Sequence, residues 1–204
     1  GAPAYRGTAY VVFEDLPLDA FGNRLPQLSF ELVRAGEATP NSLRGRARGI
    51  NLIPATGEFV YATEIVSTRR FPAIERPLNQ NNRSGGTDFV ASLSQLQADL
   101  PNLRQGAMTI AWVGTDLDAG QCRIRPGVES RNRETTPWTW SVGAYSRETA
   151  HLISDTNGRV NYGGTPDDRS VEQGVAALKA AGYHVTLSPF LLMDAPGFPW
   201  RGRI

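Results

Sequence analysis

The stretch TPDDRSVEQGVAALKAAGYHVTLSPFLLM, residues 165–193, predicts a helix followed directly by a strand. Asp167 and Asp168 favour the start of a helix, and Gly182 fits the position just after its end. The helix carries an apolar stripe formed by Val171, Val175 and Leu178. A largely apolar run, YHVTLSPFLLM, follows Gly182 and predicts a strand.

The pattern of residues 87–114 also predicts a helix followed by a strand. The strand is the largely apolar run AMTIAWVG at 107–114. Thr87 or Asp88 can cap the helix, and Pro101 ends it. The apolar face of the helix consists of Phe89, Leu93, Leu96 and Leu100. Strand, helix and strand in this order predict a right-handed βαβ crossover between parallel strands.

The preceding part of the chain is rich in strand-forming residues and turn signals. Two strands are predicted at residues 8–16 and 28–34, joined by a long polar loop. A short extended piece is predicted at residues 50–53, and a long strand at residues 59–71. This region is therefore expected to be β-rich.

A domain boundary is predicted near residue 80, because residues 75–86 are the most polar and turn-rich stretch of the chain. The expected domains are a β-rich one at residues 1–80 and a strand–helix–strand one at residues 81–204. Taken together, the patterns indicate an α+β protein whose α/β portion is incomplete.

Residues 115–165 are too long for a simple connection and predict an insertion in the second domain. Its strand-like pieces lie around residues 138–145 and 159–162. Three carboxylates are candidate catalytic residues: Asp116, Glu129 and Asp194. Asp116 and Asp194 follow the ends of apolar strands, where α/β barrels place catalytic groups. Aspartates at such positions also serve as turn and cap residues, so a structural role is the alternative.

The composition excludes several classes of function. The net charge of +1 argues against a general polyanion binder, although the chain has twenty arginines and one lysine, and arginine suits protein interfaces. Cys122 is the only cysteine, and His151 and His184 are the only histidines, so we expect no internal disulfide, metal site or cofactor, and a structural role for each histidine. No apolar run is long enough to span a bilayer, and no signal peptide is visible.

Several long stretches resemble a known family. AYRGTAYVVFEDLPLDAFGNRLPQLSFEL (residues 4–32) resembles the signature of the large, megatron-type tail-hub proteins of bacterial gene transfer agents and related siphophages. AWVGTDLDAGQCRIRPGVE (residues 111–129) is similar to the opening of the glycoside-hydrolase-like TIM-barrel domain of that family. Two further stretches match in order, YGGTPDDRSVEQGVAALKAAGYHVTLSPFLLMD and PWRGRI.

The resemblance implies that the chain is a segment of such a protein, with part of a tail-hub domain at residues 1–80 and the start of a TIM barrel after it. It implies a structural component of the tail baseplate, forming a ring at the distal end of the tail tube for host attachment and DNA delivery. The implied partners are further copies in a homotrimer, the distal tail protein and other tail-tip proteins, and a host surface glycan or receptor. The implied location is the virion or gene-transfer-agent particle, after assembly in the bacterial cytoplasm.

Two other functions stay open. A glycoside hydrolase acting on surface glycans needs two carboxylates about 5 Å apart for retention, or about 6.5–9.5 Å apart for inversion. The sequence reaches only the first two predicted barrel strands, so we expect this chain not to be an active enzyme. A carbohydrate-binding module is a third interpretation, suggested by the tryptophans Trp112, Trp138, Trp140 and Trp200.

Overall fold

The computed structural model describes residues 11–12, 14, 39–53, 57–70 and 74–195. The chain divides into two compact units, Gly1–Ala35 and Gly36–Ile204, and the second contains nearly all of the described residues. The strand pair predicted at residues 8–16 and 28–34 lies almost entirely outside the described residues.

The second unit contains both helices and strands, which confirms the α+β class. Its helices are α1 (Leu43–Arg46), α2 (Asp88–Asp99) and α3 (Asp168–Ala180). Its strands are β1 (Gly49–Leu52), β2 (Ser67–Arg70), β3 (Ile74–Pro77), β4 (Gln105–Gly114), β5 (Ile124–Arg125), β6 (Gly127–Val128), β7 (Thr135–Thr136), β8 (Ser141–Val142), β9 (Tyr145–Ser146), β10 (His151–Leu152), β11 (Asp155–Thr156), β12 (Arg159–Val160) and β13 (His184–Met193).

The central sheet has the order β1-β4-β13, and all three strands are parallel. Gln105 pairs with Gly49 on one side and with His184 on the other, and β4 and β13 stay paired as far as Gly114 and Met193. Helix α2 precedes β4 and helix α3 joins β4 to β13. The predicted strand–helix–strand unit is thus confirmed, and β1 extends the same sheet by one strand.

The helix ends follow the predicted signals. The Thr87 side chain accepts a hydrogen bond from the Val90 amide at 3.3 Å and caps α2. Asp167 caps α3 by accepting from the Ser170 amide at 3.1 Å. Gly182, just beyond α3, has φ of +85°, a conformation that glycine adopts at little cost.

Two apolar clusters stabilise the described part of the unit. The first lies between the helices and the sheet and contains Tyr61, Leu103, Met108, Leu178 and Tyr183, with the predicted apolar face of α2 packed against it. The second lies beneath the insertion and contains Phe59, Ala62, Val66, Val128, Trp140, Val142 and Ala150. The segment around residues 59–62 therefore contributes to both clusters.

The prediction of a long strand at residues 59–71 is wrong. Strand β2 covers only Ser67–Arg70, and residues 58–61 form a turn in which the Val60 amide donates to the Gly57 carbonyl at 3.3 Å. The turn lets Phe59 pack under the insertion while Tyr61 packs under the helices. The apolar residues Phe59 and Tyr61 therefore pack into two different clusters. They do not lie on the two faces of one strand.

The domain boundary near residue 80 also needs correction, since the chain divides between Ala35 and Gly36. Residues 75–86, predicted as a linker or exposed loop, begin within β3. They continue with Asn79, a buried residue whose side chain accepts from the Val66 amide at 2.9 Å. Buried hydrogen bonds of this kind fix the segment within the unit.

The insertion at residues 115–165 contains short strands, as predicted. Strands β8 and β9 form a small hairpin, and β11 and β12 form another. Strand β6 pairs in parallel with β10, and β5 pairs with the end of β4. Among the described residues, no helix is long and apolar enough to cross a membrane.

Candidate functional site

The structure places Asp116 and Asp194 at one end of the central sheet. Asp194 directly follows β13, and its amide donates to the carbonyl of Gly114, the last residue of β4, at 2.8 Å. Asp116 follows Gly114 by two residues. Both lie at the carboxyl ends of parallel strands, the position at which α/β proteins build their sites.

Asp194 is an anchor for the insertion. Its side chain is buried and accepts hydrogen bonds from His151 Nε2 at 2.7 Å, from the Ser154 amide at 2.8 Å and from Ser154 Oγ. A carboxylate only accepts, so Nε2 of His151 carries a proton in this bond. His151 thus has the structural role that the sequence predicted.

Two further side chains extend this cluster. Asn161 donates through Nδ2 to Ser154 Oγ at 2.8 Å, and the hydroxyl of Tyr162 donates to the Met193 carbonyl at 2.8 Å. Burial and the charge of Asp194 raise the pKa of Tyr162 to about 12. Tyr162 is therefore a neutral hydrogen-bond donor at physiological pH.

Asp116 acts as a turn residue. Its Oδ1 accepts from the Asp118 amide at 2.9 Å, and Asp118 in turn accepts from the Gly120 amide at 2.8 Å. These are the local side-chain-to-backbone bonds that aspartate favours in turns. The structural alternative for Asp116 thus fits the observed contacts.

A buried ion-pair network lies at the base of the insertion, and its centre, Glu58, was not predicted from the sequence. Glu58 is 2% exposed and accepts from Arg147 Nη1 at 2.9 Å and from Arg147 Nη2 at 2.6 Å. Arg133 Nη1 donates to the same carboxylate at 3.2 Å, and the Glu129 amide donates to it at 3.0 Å. Glu58 therefore joins the turn after β1 to three points of the insertion.

Glu129, the third candidate, belongs to the same network. Its Oε2 lies 2.9 Å from Arg133 Nη2, and its Oε1 accepts from the Gly164 amide at 3.3 Å. Burial works to lower the pKa of Arg133, but the negative charges of Glu58 and Glu129 outweigh it and raise this pKa. Arg133 thus stays charged and holds both carboxylates.

A cavity of about 460 Å³ lies beside Glu129. Its polar wall includes Glu129, Asn161 and Tyr162, and its apolar wall includes Ala111 and Phe190 from the central sheet. Glu129 is the one acidic residue among the described residues that line it. The cavity can hold a small molecule, but it offers a single carboxylate that already bonds to Arg133.

The tryptophans of the insertion form hydrogen bonds to the rest of the unit. Trp140 is buried and donates to the Thr165 carbonyl at 2.8 Å, and Trp138 donates to Asp167 Oδ2 at 2.7 Å. The guanidinium of Arg169 lies 4.3 Å from the centre of a Trp138 ring. These rings are used in packing, which does not favour their use as sugar platforms.

No cluster of three metal-binding side chains occurs in the part of the chain that the structure describes. Cys122 is half-buried, close to Gly114 at the end of β4. It lies apart from any described set of ligands.

Asp167 is buried at the start of α3, and burial raises its pKa to about 6, although the bonds from Trp138 and Ser170 oppose this shift. A carboxyl with a raised pKa binds its proton more tightly in the folded chain than in the unfolded chain. Its contribution to stability is therefore greatest below the unfolded pKa of 3.8 and is lost as the pH rises to about 6.

We expect the Asp167→Asn variant to lose this pH dependence. Between the two pKa values, the parent should lose stability relative to the variant as the pH rises, because only the parent has to give up a tightly bound proton. Urea midpoints of both proteins across the acid range measure the difference. Asp118→Asn, which changes an exposed carboxylate in the turn after β4, should follow the parent. Parallel pH profiles for all three proteins would contradict the assignment.

No protein-family model matches the chain, and no curated protein matches it significantly.

Proposed function

We propose that this chain is a structural segment of a phage-type tail hub that carries a β/α-barrel-type domain. The central sheet supports this proposal, because its parallel strands β1, β4 and β13 lie side by side in chain order, with helices between them. This is the arrangement with which a β/α barrel begins.

The observation that carries the structural role is the use of Asp194. It occupies the strand end at which barrel enzymes place catalytic groups, yet both of its carboxylate oxygens accept hydrogen bonds from His151 and Ser154. Buried carboxylates held in this way fix a local structure. In this chain they fix the insertion to the sheet.

The second edge of β13 suits pairing with a further strand, as the proposed barrel requires. The backbone amides of His184 and Asp194 donate toward β4, and the even-numbered residues between them have the same orientation. The odd-numbered residues of β13, including Pro189, therefore direct their backbone groups to the other edge of the strand. Proline has no N–H and is tolerated at such an edge. Among the described residues β13 pairs only with β4, and Leu187, Phe190 and Leu191 are exposed along it. An apolar edge of this length is normally covered by another strand or a partner.

In the proposed assembly the chain forms a homotrimer and contacts the distal tail protein and other tail-tip proteins. Its location is the baseplate of a virion or gene-transfer-agent particle. A host glycan or receptor is a further partner in this proposal. Exposed arginines suit these contacts, since arginine is enriched at protein interfaces.

The second candidate, a glycoside hydrolase, rests on Glu129 and its cavity. A glycosidase needs a second carboxylate at about 5 Å for retention or at about 6.5–9.5 Å for inversion. Asp194 is occupied by His151 and Ser154, and Glu58 is occupied by Arg133 and Arg147. The contacts therefore favour the structural role.

We expect the purified chain to release no reducing ends from bacterial surface glycans or peptidoglycan. The reason is that each candidate carboxylate already has partners within the protein. The assay follows reducing ends over a panel of glycans, with Glu129→Gln and Asp194→Asn as comparison variants. Turnover by the parent that is lost in either variant would overturn the structural role and put the hydrolase first.

A further inference from the structure

The hairpin of β11 and β12 turns at the exposed pair Asn157–Gly158. Thr156 pairs with Arg159, and φ is +55° at Asn157 and +76° at Gly158, which defines a two-residue type I′ turn. Asn157–Gly158 is the only Asn-Gly pair in the sequence. Glycine has no side chain, and nothing lies within 4 Å of the position that a Cβ on Gly158 would occupy.

We propose that Asn157 is a site of spontaneous deamidation, controlled by opening of this hairpin. The backbone nitrogen of Gly158 loses its proton and forms a bond to Cγ of Asn157. The bond from Cγ to Nδ2 breaks, ammonia leaves, and a cyclic imide remains. Water then opens the imide at one of its two carbonyls, giving aspartate or isoaspartate at position 157.

The closed hairpin opposes the first step. The Gly158 N–H donates to Asp155 Oδ1 at 3.0 Å, and the pairs Thr156–Arg159 and Asp155–Val160 hold the turn on both strands. The imide ring requires the Asn157 backbone to rotate out of the turn conformation, which breaks these contacts. A hairpin with two residue pairs opens easily, since isolated hairpins are marginally stable.

The modification would reach the Asp194 anchor through Asn161. The Asn161 amide donates to the Ser154 carbonyl at 2.9 Å, and its side chain donates to Ser154 Oγ, which itself bonds to Asp194. Isoaspartate adds one carbon to the main chain inside the turn and changes the pairing of the two strands. Either product also adds a negative charge beside Asp155.

In the test, the chain of residues 1–204 is incubated at mildly alkaline pH and then digested with trypsin. Cleavage after Arg147 and Arg159 gives a peptide, residues 148–159, that contains Asn157. The next peptide, residues 160–169, contains Asn161 followed by Tyr162 and is an internal control. Mass spectrometry detects the replacement of the amide by a carboxyl group in each peptide.

We expect deamidation in the first peptide and not in the second, a rate several-fold higher in Asp155→Ala, and a higher rate still in urea. Gly158→Ala should slow the reaction in urea, where the turn no longer matters and the added methyl group hinders attack. An unmodified Asn157 in urea, or equal modification of Asn161, would overturn the site. Equal deamidation rates for the folded parent and the folded Asp155→Ala variant would contradict the proposal that opening of the hairpin limits the reaction.

Discussion

Replacing Glu58 with glutamine should destabilise the protein by about 3–5 kcal/mol, the range for breaking a buried ion pair by removing one partner. The Glu58 side chain is 1% exposed and that of Arg147 is 5% exposed. In the variant, water therefore cannot solvate the guanidinium of Arg147, which has lost its charged partner. Arg133 loses a carboxylate partner as well. A loss of this size is a large share of the usual 5–15 kcal/mol of folding stability.

Glu64→Gln is the matched control for this prediction. Glu64 pairs with Arg169 at 3.1 Å, but both side chains are about half exposed, at 51% and 49%. An exposed pair contributes about 0–1 kcal/mol. Urea unfolding of the two variants measures both effects. A Glu58→Gln protein that unfolds at the same urea concentration as Glu64→Gln would show that the network does not hold the insertion in place.

The Leu178→Ala variant should lose about 2–5 kcal/mol, as large-to-small changes in a packed core do. Leu178 is fully buried on α3, and its methyl groups lie 3.8 Å from the position that a Cβ on Gly106 would occupy. The absence of a side chain at Gly106 lets the leucine pack directly onto β4. Truncation therefore leaves a cavity between the helix and the sheet.

Leu187→Ala makes the same chemical change at a position that is 52% exposed on β13. We expect it to change the free energy of unfolding by about 0.5 kcal/mol or less in the isolated chain, as surface substitutions do. Equal losses from the two leucine variants would contradict the packing of α3 on the sheet. A larger loss from Leu187→Ala in the assembled particle than in the isolated chain would indicate that a partner covers this edge.

The sequence predicted those elements whose signals are local. Helix α3 has its stripe, its cap at Asp167 and its glycine at Gly182 within one short stretch, and each is found in the structure. Helix α2 and strands β4 and β13 were predicted for the same reason. Local periodicity and capping depend on few neighbours, so they can be recognised without knowledge of the fold.

Contacts between distant parts of the chain could not be predicted in this way. The partners of Glu58 lie 75 and 89 residues away, at Arg133 and Arg147, and a single glutamate before an apolar run gives no sign of them. The same holds for β1, which the sequence showed as a short extended piece but assigned to another domain. Its place in the sheet depends on pairing with β4, where Gln105, the partner of Gly49, lies 56 residues further along the chain.

Of the three candidate carboxylates, the sequence located Asp116 and Asp194 correctly at strand ends, but their roles depend on the insertion. His151 and Ser154 reach Asp194 from a segment about forty residues earlier in the chain, and they use its oxygens in hydrogen bonds. A strand-end aspartate has the same local sequence in a catalytic site and in an anchor. Only the arrangement of its donors distinguishes them.

An electron cryo-microscopy map of the particle that carries this chain is the direct test of the proposed structural role in a tail hub. We expect copies of the second unit around a threefold or pseudo-sixfold axis at the distal end of the tail tube, with the exposed edge of β13 covered by a further strand or by neighbouring protein. A single copy at the periphery of the particle, or particles that lack the chain altogether, would contradict it.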